Sequence, residues 1–238
     1  MKKNTLGVLA SGRGSNFQSL IDHIRLGVLK NVRCGVLICN NKDAYALKIA
    51  EKSEIERKFV DHRNKERVVF DSEVVDVLRD HDVNLVVLSG FMRIISPYFI
   101  DEYKNRIMNI HPALLPSFPG LHAQKQAIEY GVKVSGVTVH YVDRVVDVGP
   151  IILQKPVPIR EDDTEDTLSE RILVFEHRLY SKAIQLHVDG RLKIEGRKVK
   201  VDYSDHWEER WKKRQKVYVE YQKQLWAEQG KPLDKSIG

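Results

Sequence analysis

The chain has 238 residues, 42% of them hydrophobic and 30% charged, with a formal net charge of +6. That length and apolar fraction suit one sizeable core with an appendage. No segment reaches the roughly 18 apolar residues of a membrane span, and the run Leu6–Ala10 is too short for a secretory signal. The positive excess is modest and both signs are mixed along the chain. It lacks the basic stripe or module of a nucleic-acid binder, so small anionic molecules are the partners it suits, with neither nucleic acid nor membrane expected.

Short apolar runs rich in β-branched residues recur at Leu6–Ala10, Val32–Cys39, Arg57–Val60, Leu85–Ser89 and Arg106–Ile110. Between them lie stretches of helical spacing; in one, Val74, Val77 and Leu78 fall at i, i+3 and i+4 behind a cap expected at Asn64. Strands alternating with helices in near-continuous apolar runs predict a doubly wound, Rossmann-like α/β domain. Its sheet is mostly parallel, with ligands at the strand C-terminal ends. The only cysteines, Cys34 and Cys39, share the second run, where an odd separation points them to opposite faces. They read as reduced thiols in a reducing, cytoplasmic compartment.

The pattern then changes. Val132–Val142 and Ile151–Ile159 predict two longer strands whose short connection, holding Asp143, Asp147, Gly149 and Pro150, makes them antiparallel. A long helix is expected from Thr164 to Val188, then two short strands near Leu192–Ile194 and Lys198–Val201. From His206 to about Glu228 a charged helix carries Trp207, Trp211, Tyr218, Tyr221 and Leu225 on one face. That stripe suits a helix docked on its own domain or a contact in a homodimer, since aromatic surface is costly to leave in water.

Two segments carry chemistry. After the first strand, Ser11-Gly12-Arg13-Gly14-Ser15-Asn16 leads into a helix, and free N–H groups at a helix start favour an anion such as phosphate. Phe17 interrupts a Gly-x-Gly-x-x-Gly motif, which counts against a nicotinamide dehydrogenase. At the fifth strand's end, Asn109 and His111 are two residues apart and project to the same side, ahead of a Pro-rich loop. A carboxamide and an imidazole aimed together can hold a polarised carbonyl and stabilise an oxyanion. His122 is expected to begin the next helix and His140 to sit within a strand in a supporting role; His23, His62, His81, His177, His187 and His206 read as surface or helix residues. The chain offers no Cys/His ligand cluster, and no metal is expected.

Here the chain resembles the glycinamide ribonucleotide formyltransferase family. The resemblance rests on Ser11–Asn16, on Leu88-Ser89-Gly90-Phe91-Met92-Arg93-Ile94, on Asn109-Ile110-His111-Pro112-Ala113-Leu114-Leu115-Pro116, on Pro119-Gly120-Leu121-His122 and on Asp143 through Pro150. It runs over about residues 5–200 and implies a formyltransferase fold. The implied domain is 1–203, followed by a charged helical extension, 204–238. Two small molecules are implied as partners: glycinamide ribonucleotide (GAR) as acceptor and 10-formyltetrahydrofolate as formyl-donor cosubstrate. By the same resemblance Gly14, Ser15 and Asn16 hold the nucleotide phosphate and Glu176 the ribose hydroxyls. Arg67, Met92, Arg93, Ile94, Ile95, Asn109, Asp143 and Asp147 border the folate. Asp147 pairs with His111, completing a catalytic set of Asn109, His111 and Asp147; a carboxylate beside an imidazole favours the imidazolium, which can act as an acid. Ala113, where many relatives have Ser, and Val148, where a small residue is frequent, depart from the family pattern without touching this set.

Methionyl-tRNA formyltransferase shares the trio, but carries a tRNA-binding domain that the extension is too short to supply, and an arginine-glycine motif where this chain has Ser117-Phe118-Pro119-Gly120. Formyltetrahydrofolate hydrolase carries an N-terminal regulatory domain not expected here. A nucleotide-binding module without chemistry would leave the trio unexplained.

Overall fold

The computed structural model describes residues 3–229. In chain order they form β1 (Asn4–Ala10), α1 (Ser15–Arg25), β2 (Val32–Cys39), α2 (Tyr45–Lys52), β3 (Arg57–Phe59), α3 (Arg67–Asp80), β4 (Leu85–Leu88) and α4 (Pro97–Glu102). There follow β5 (Ile107–His111), α5 (Ala123–Tyr130), β6 (Val134–Tyr141), β7 (Ile151–Pro158), α6 (Glu165–Val188), β8 (Leu192–Glu195), β9 (Lys198–Val201) and α7 (Trp207–Glu228). One sheet holds all these strands in the order β3-β2-β1-β4-β5-β6-β7-β9-β8. The first five are mutually parallel; β6 runs antiparallel to β7, as expected from the short connection, and also to β5.

The sheet is covered on both faces, which is why its central strands read as unbroken apolar runs. Leu6, Val8 and Ala10 pack with Phe17, Leu20, Ile49, Ile172 and Ile184 on one side. Leu9, Val36 and Ile38 pack with Phe70, Val74, Leu78 and Phe99 on the other. Strand order reverses between β1 and β4, so the loops leaving those two strands diverge and open a cleft at their C-terminal ends.

Helix α6 begins with a reciprocal cap: Thr167 N–H donates to Thr164 Oγ1 at 3.2 Å and Thr164 N–H to Thr167 Oγ1 at 3.0 Å. Two local expectations fail. Asn64 does not cap α3, which starts after Glu66; Asn64 sits in a left-handed turn, φ 58°, two residues earlier. Cys34 and Cys39 also do not face opposite ways. A bulge at Gly35 shifts β2 by one residue against β1, and both sulfurs join the same core face, unpaired.

The aromatic stripe of α7 folds back on the chain. Trp207, Trp211 and Tyr218 are buried with Val28 and Leu186, and Trp207 Nε1–H donates to Asp189 at 2.7 Å. The docked alternative therefore accounts for the stripe. No described helix is long and apolar enough to cross a membrane.

Candidate active site

The switch-point cleft, about 230 Å³, is lined by Ser11 through Asn16 from the loop after β1 and by Ser89, Gly90 and Met92 from the loop after β4. Gly14 caps α1 with φ 73°, and a Cβ there would lie 2.8 Å from that of Ala46, so only glycine fits the turn. No side chain caps the α1 N-terminus, which leaves the N–H groups of Ser15 and Asn16 for an anion. Asn16 Nδ2 donates to Glu176 Oε2 at 2.8 Å, joining the first turn of α1 to the middle of α6. Burial pushes the Glu176 carboxyl above its ordinary range.

The last residues of β5 and the β6–β7 connection build the second half of the site. Asn109 and His111 occupy alternate positions on β5, paired with His140 and Thr138 of β6. Asp147 stands in a left-handed turn, φ 56°, with its side chain only 7% exposed. One of its oxygens lies 3.4 Å from His111 Nδ1 and the other 3.7 Å from His140 Nε2. Gly120 N–H donates to Asp147 Oδ2 at 2.8 Å, tying the Pro-rich loop to the β6–β7 connection. His111 Nε2 faces the Phe118 carbonyl at 2.8 Å. Each ring nitrogen thus has an oxygen beside it, Asp147 Oδ2 at Nδ1 and the Phe118 carbonyl at Nε2. Gly149 permits the turn that delivers Asp147, because a Cβ there would collide with the Tyr141 carbonyl.

His140 differs. Its Nδ1 lies 2.9 Å from the Tyr141 carbonyl and its Nε2 3.4 Å from Asn109 Nδ2. Burial holds its pKa below the ordinary histidine value, against the pull of Asp147. A neutral ring with the proton on Nδ1 accepts one amide proton of Asn109 and leaves the other free.

Residues 5–184 match the family profile of formyl transferases. The chain is 39% identical to the phosphoribosylglycinamide formyltransferase of Escherichia coli, over 79% of this chain and 88% of that protein. It is 42% identical to the human trifunctional purine biosynthetic protein adenosine-3, over 81% of this chain but only 19% of that much longer protein. Among solved structures, glycinamide ribonucleotide transformylase 1 from Symbiobacterium toebii superposes with a TM-score of 0.82 at 45% identity, covering 84% of this chain and 94% of that one. The chain belongs to the formyl transferase family, on its phosphoribosylglycinamide formyltransferase branch.

Of the other sequence-expected residues, Met92 lines the cleft. Met92 and Ile94 are exposed at 65% and 54%, and Arg67 opens α3 on the surface. Arg93 lies over the Phe70 ring, 4.7 Å from its centroid. Ile95 departs from the rest: its side chain is buried in the core with Phe70 and Phe99, so it has only backbone to offer a ligand. Asp143 is exposed and accepts from the Arg144 N–H at 2.7 Å. Sequence reasoning undervalued several residues. Ser11 Oγ donates to Asn40 at 2.7 Å and accepts from Met92 N–H at 2.8 Å, joining the loops after β1 and β4. Asp71 accepts from Ser96 N–H at 2.5 Å and anchors the far end of the Met92–Ile95 segment. The Tyr180 hydroxyl of α6 is shared between the carbonyls of Leu88 and Met108, at 2.9 and 2.8 Å. A side chain's hydrogen-bond partner leaves no periodic trace in sequence, so Asp71 and Tyr180 had no signal beyond residue type, and Ser11 stood out only as part of the Ser11–Asn16 loop.

Proposed function

We propose that this family member transfers the formyl group of 10-formyltetrahydrofolate to the amine of glycinamide ribonucleotide, giving formyl-GAR and tetrahydrofolate in purine biosynthesis. The observation that carries the reading is the convergence of Asn109, His111 and Asp147 at the end of β5, in a fold that also offers an uncapped helix start for a phosphate. In this reading the phosphate lies on the N–H groups of Gly14, Ser15 and Asn16, and Glu176 accepts from the ribose hydroxyls. The folate lies along Met92–Ile95, with Arg67, Asp143 and Asp147 bordering it.

The chemistry follows from these positions. The acceptor's amine nitrogen forms a bond to the formyl carbon, and the carbonyl oxygen becomes an oxyanion. Asn109 Nδ2–H and the His111 imidazolium stabilise that charge, and Asp147 is the counter-ion of the imidazolium. Because the Phe118 carbonyl holds His111 Nε2, the donor's oxygen takes that carbonyl's place on the proton. The amine then loses a proton and N10 of the folate gains one, through water beside Asp147. The C–N10 bond breaks, releasing tetrahydrofolate.

Residues 1–203 would form the catalytic domain and 204–238 an extension; residues 1–2 and 230–238 lie outside the described residues. A reducing, cytoplasmic setting agrees with two unpaired cysteines. Mixing the donor with GAR, or with water alone, and following tetrahydrofolate release tests the assignment. Release that requires GAR supports it; equal release in water would make the chain a hydrolase.

A further inference from the structure

The chemistry above leaves unused a buried polar cluster where α7 meets α1 and α6. At its centre is Tyr218. Its hydroxyl lies 2.9 Å from Ser19 Oγ on α1 and 3.4 Å from His177 Nδ1 on α6. Its ring stacks on His23, with centroids 3.6 Å apart and planes at 28°. Gln222 Nε2 donates to the Tyr218 oxygen at 3.2 Å, and Gln215 Nε2 donates to His23 Nε2 at the same distance. Ser19, His23, Tyr218 and Gln222 are all buried. Burial holds the His23 pKa down to about 4 and that of His177 to about 3, with the Arg178 guanidinium adding to the effect on both, so the two imidazoles are neutral.

The positions of its members give this cluster a use. Ser19 lies one helical turn beyond Ser15, and His177 directly follows Glu176. The same two helices are joined near the cleft by the 2.8 Å bond from Asn16 to Glu176. One phenol on α7 thus ties them together a second time, one turn further along α1. Apolar docking alone, as by Trp207 and Trp211 against Val28 and Leu186, tolerates small slides of helix on helix. Buried hydrogen bonds are directional and costly to leave unmade, so they fix spacing.

We propose that α7 is part of the framework of the nucleotide site, and that Tyr218 is a positioning residue holding the first turn of α1 and Glu176 at the spacing a ribose 5-phosphate requires. This rests on the assignment of the Gly14–Asn16 loop and Glu176 to the nucleotide. A full-length Tyr218→Phe variant keeps the ring stack and loses the hydroxyl, and Ser19→Ala removes the same bond from the α1 side. Trp211→Leu is the control, weakening the apolar docking of α7 while removing none of the cluster's hydrogen-bonding groups.

In steady-state kinetics, Tyr218→Phe and Ser19→Ala should each raise KM for GAR by about three- to tenfold, the scale of one lost buried hydrogen bond. Their kcat and their KM for the formyl donor should stay within about twofold. Trp211→Leu should lower Tm at least as much while leaving KM for GAR within about twofold. An unchanged KM for GAR in Tyr218→Phe, or both KM values rising together in step with the loss of Tm, overturns the proposal. Wild-type protein that ignores GAR removes the nucleotide assignment and this inference together. Normal wild-type transfer with an unmoved Tyr218→Phe removes this inference alone.

Discussion

Asp147 Oδ2 lies 3.4 Å from His111 Nδ1, with the two side chains 7% and 5% exposed. A carboxylate and an imidazole so screened from water interact more strongly than at the surface. Asp147→Asn keeps the shape and removes the charge. Its kcat should fall by roughly 10²-fold or more, with KM for GAR little changed, because the lost interaction matters when the oxyanion forms. A kcat within threefold of wild type would remove Asp147 from the mechanism.

His140 Nε2 lies 3.4 Å from Asn109 Nδ2, and in the proposed mechanism its part is to orient that amide. Replacing it with alanine frees that amide to rotate. The expected outcome is a kcat roughly tenfold lower with both KM values nearly intact, a smaller loss than at His111. A loss as deep as that of His111→Ala would give His140 a direct part in the chemistry.

Asn16 contributes an amide that is already spent on Glu176. Asn16→Ala should raise KM for GAR by roughly tenfold, through loss of both its own contact and the anchoring of Glu176. Competition by inorganic phosphate against GAR, weakened in the variant, would check the same loop. An unchanged KM would move the nucleotide elsewhere.

Much of this arrangement was legible in the sequence. Each run became a strand of the one sheet; the central ones had to be apolar throughout because they are covered on both faces, whereas β3, Arg57–Phe59, lies exposed at the sheet edge. Asn109 and His111 could be aligned from strand alternation alone. Their meeting with Asp147 could not, because it depends on a left-handed turn and on Gly149 fitting against the Tyr141 carbonyl. Cys34 was misplaced for a related reason: alternation assumes an unbroken ladder, and the bulge at Gly35 adds one residue. His23 and His177 read as ordinary helix positions until α7 folded over them, since a helix records its own period and not its partner.

His23 gives stability a pH dependence. Burial holds its folded pKa near 4, below the ordinary value of 6.5. As pH falls below 6.5, the unfolded chain takes up a proton that the folded chain refuses, so stability present above 6.5 is lost progressively down to about 4. For this residue the loss is on the order of 3 kcal/mol. Asp22 and Asp71, raised by burial, act in the opposite sense over part of that range. The comparison is therefore with His23→Phe, which keeps the ring stack. Urea unfolding at pH 7 and pH 5 should show a smaller drop in the variant; equal drops would mean His23 is protonated in the fold.

The most direct test of formyl transfer through this site is the turnover of His111→Ala at saturating GAR and 10-formyltetrahydrofolate, measured beside the variant's affinity for each. The imidazolium is assigned to the oxyanion, so kcat should fall by about 10²- to 10³-fold with both affinities retained. Turnover close to wild type would contradict the assignment.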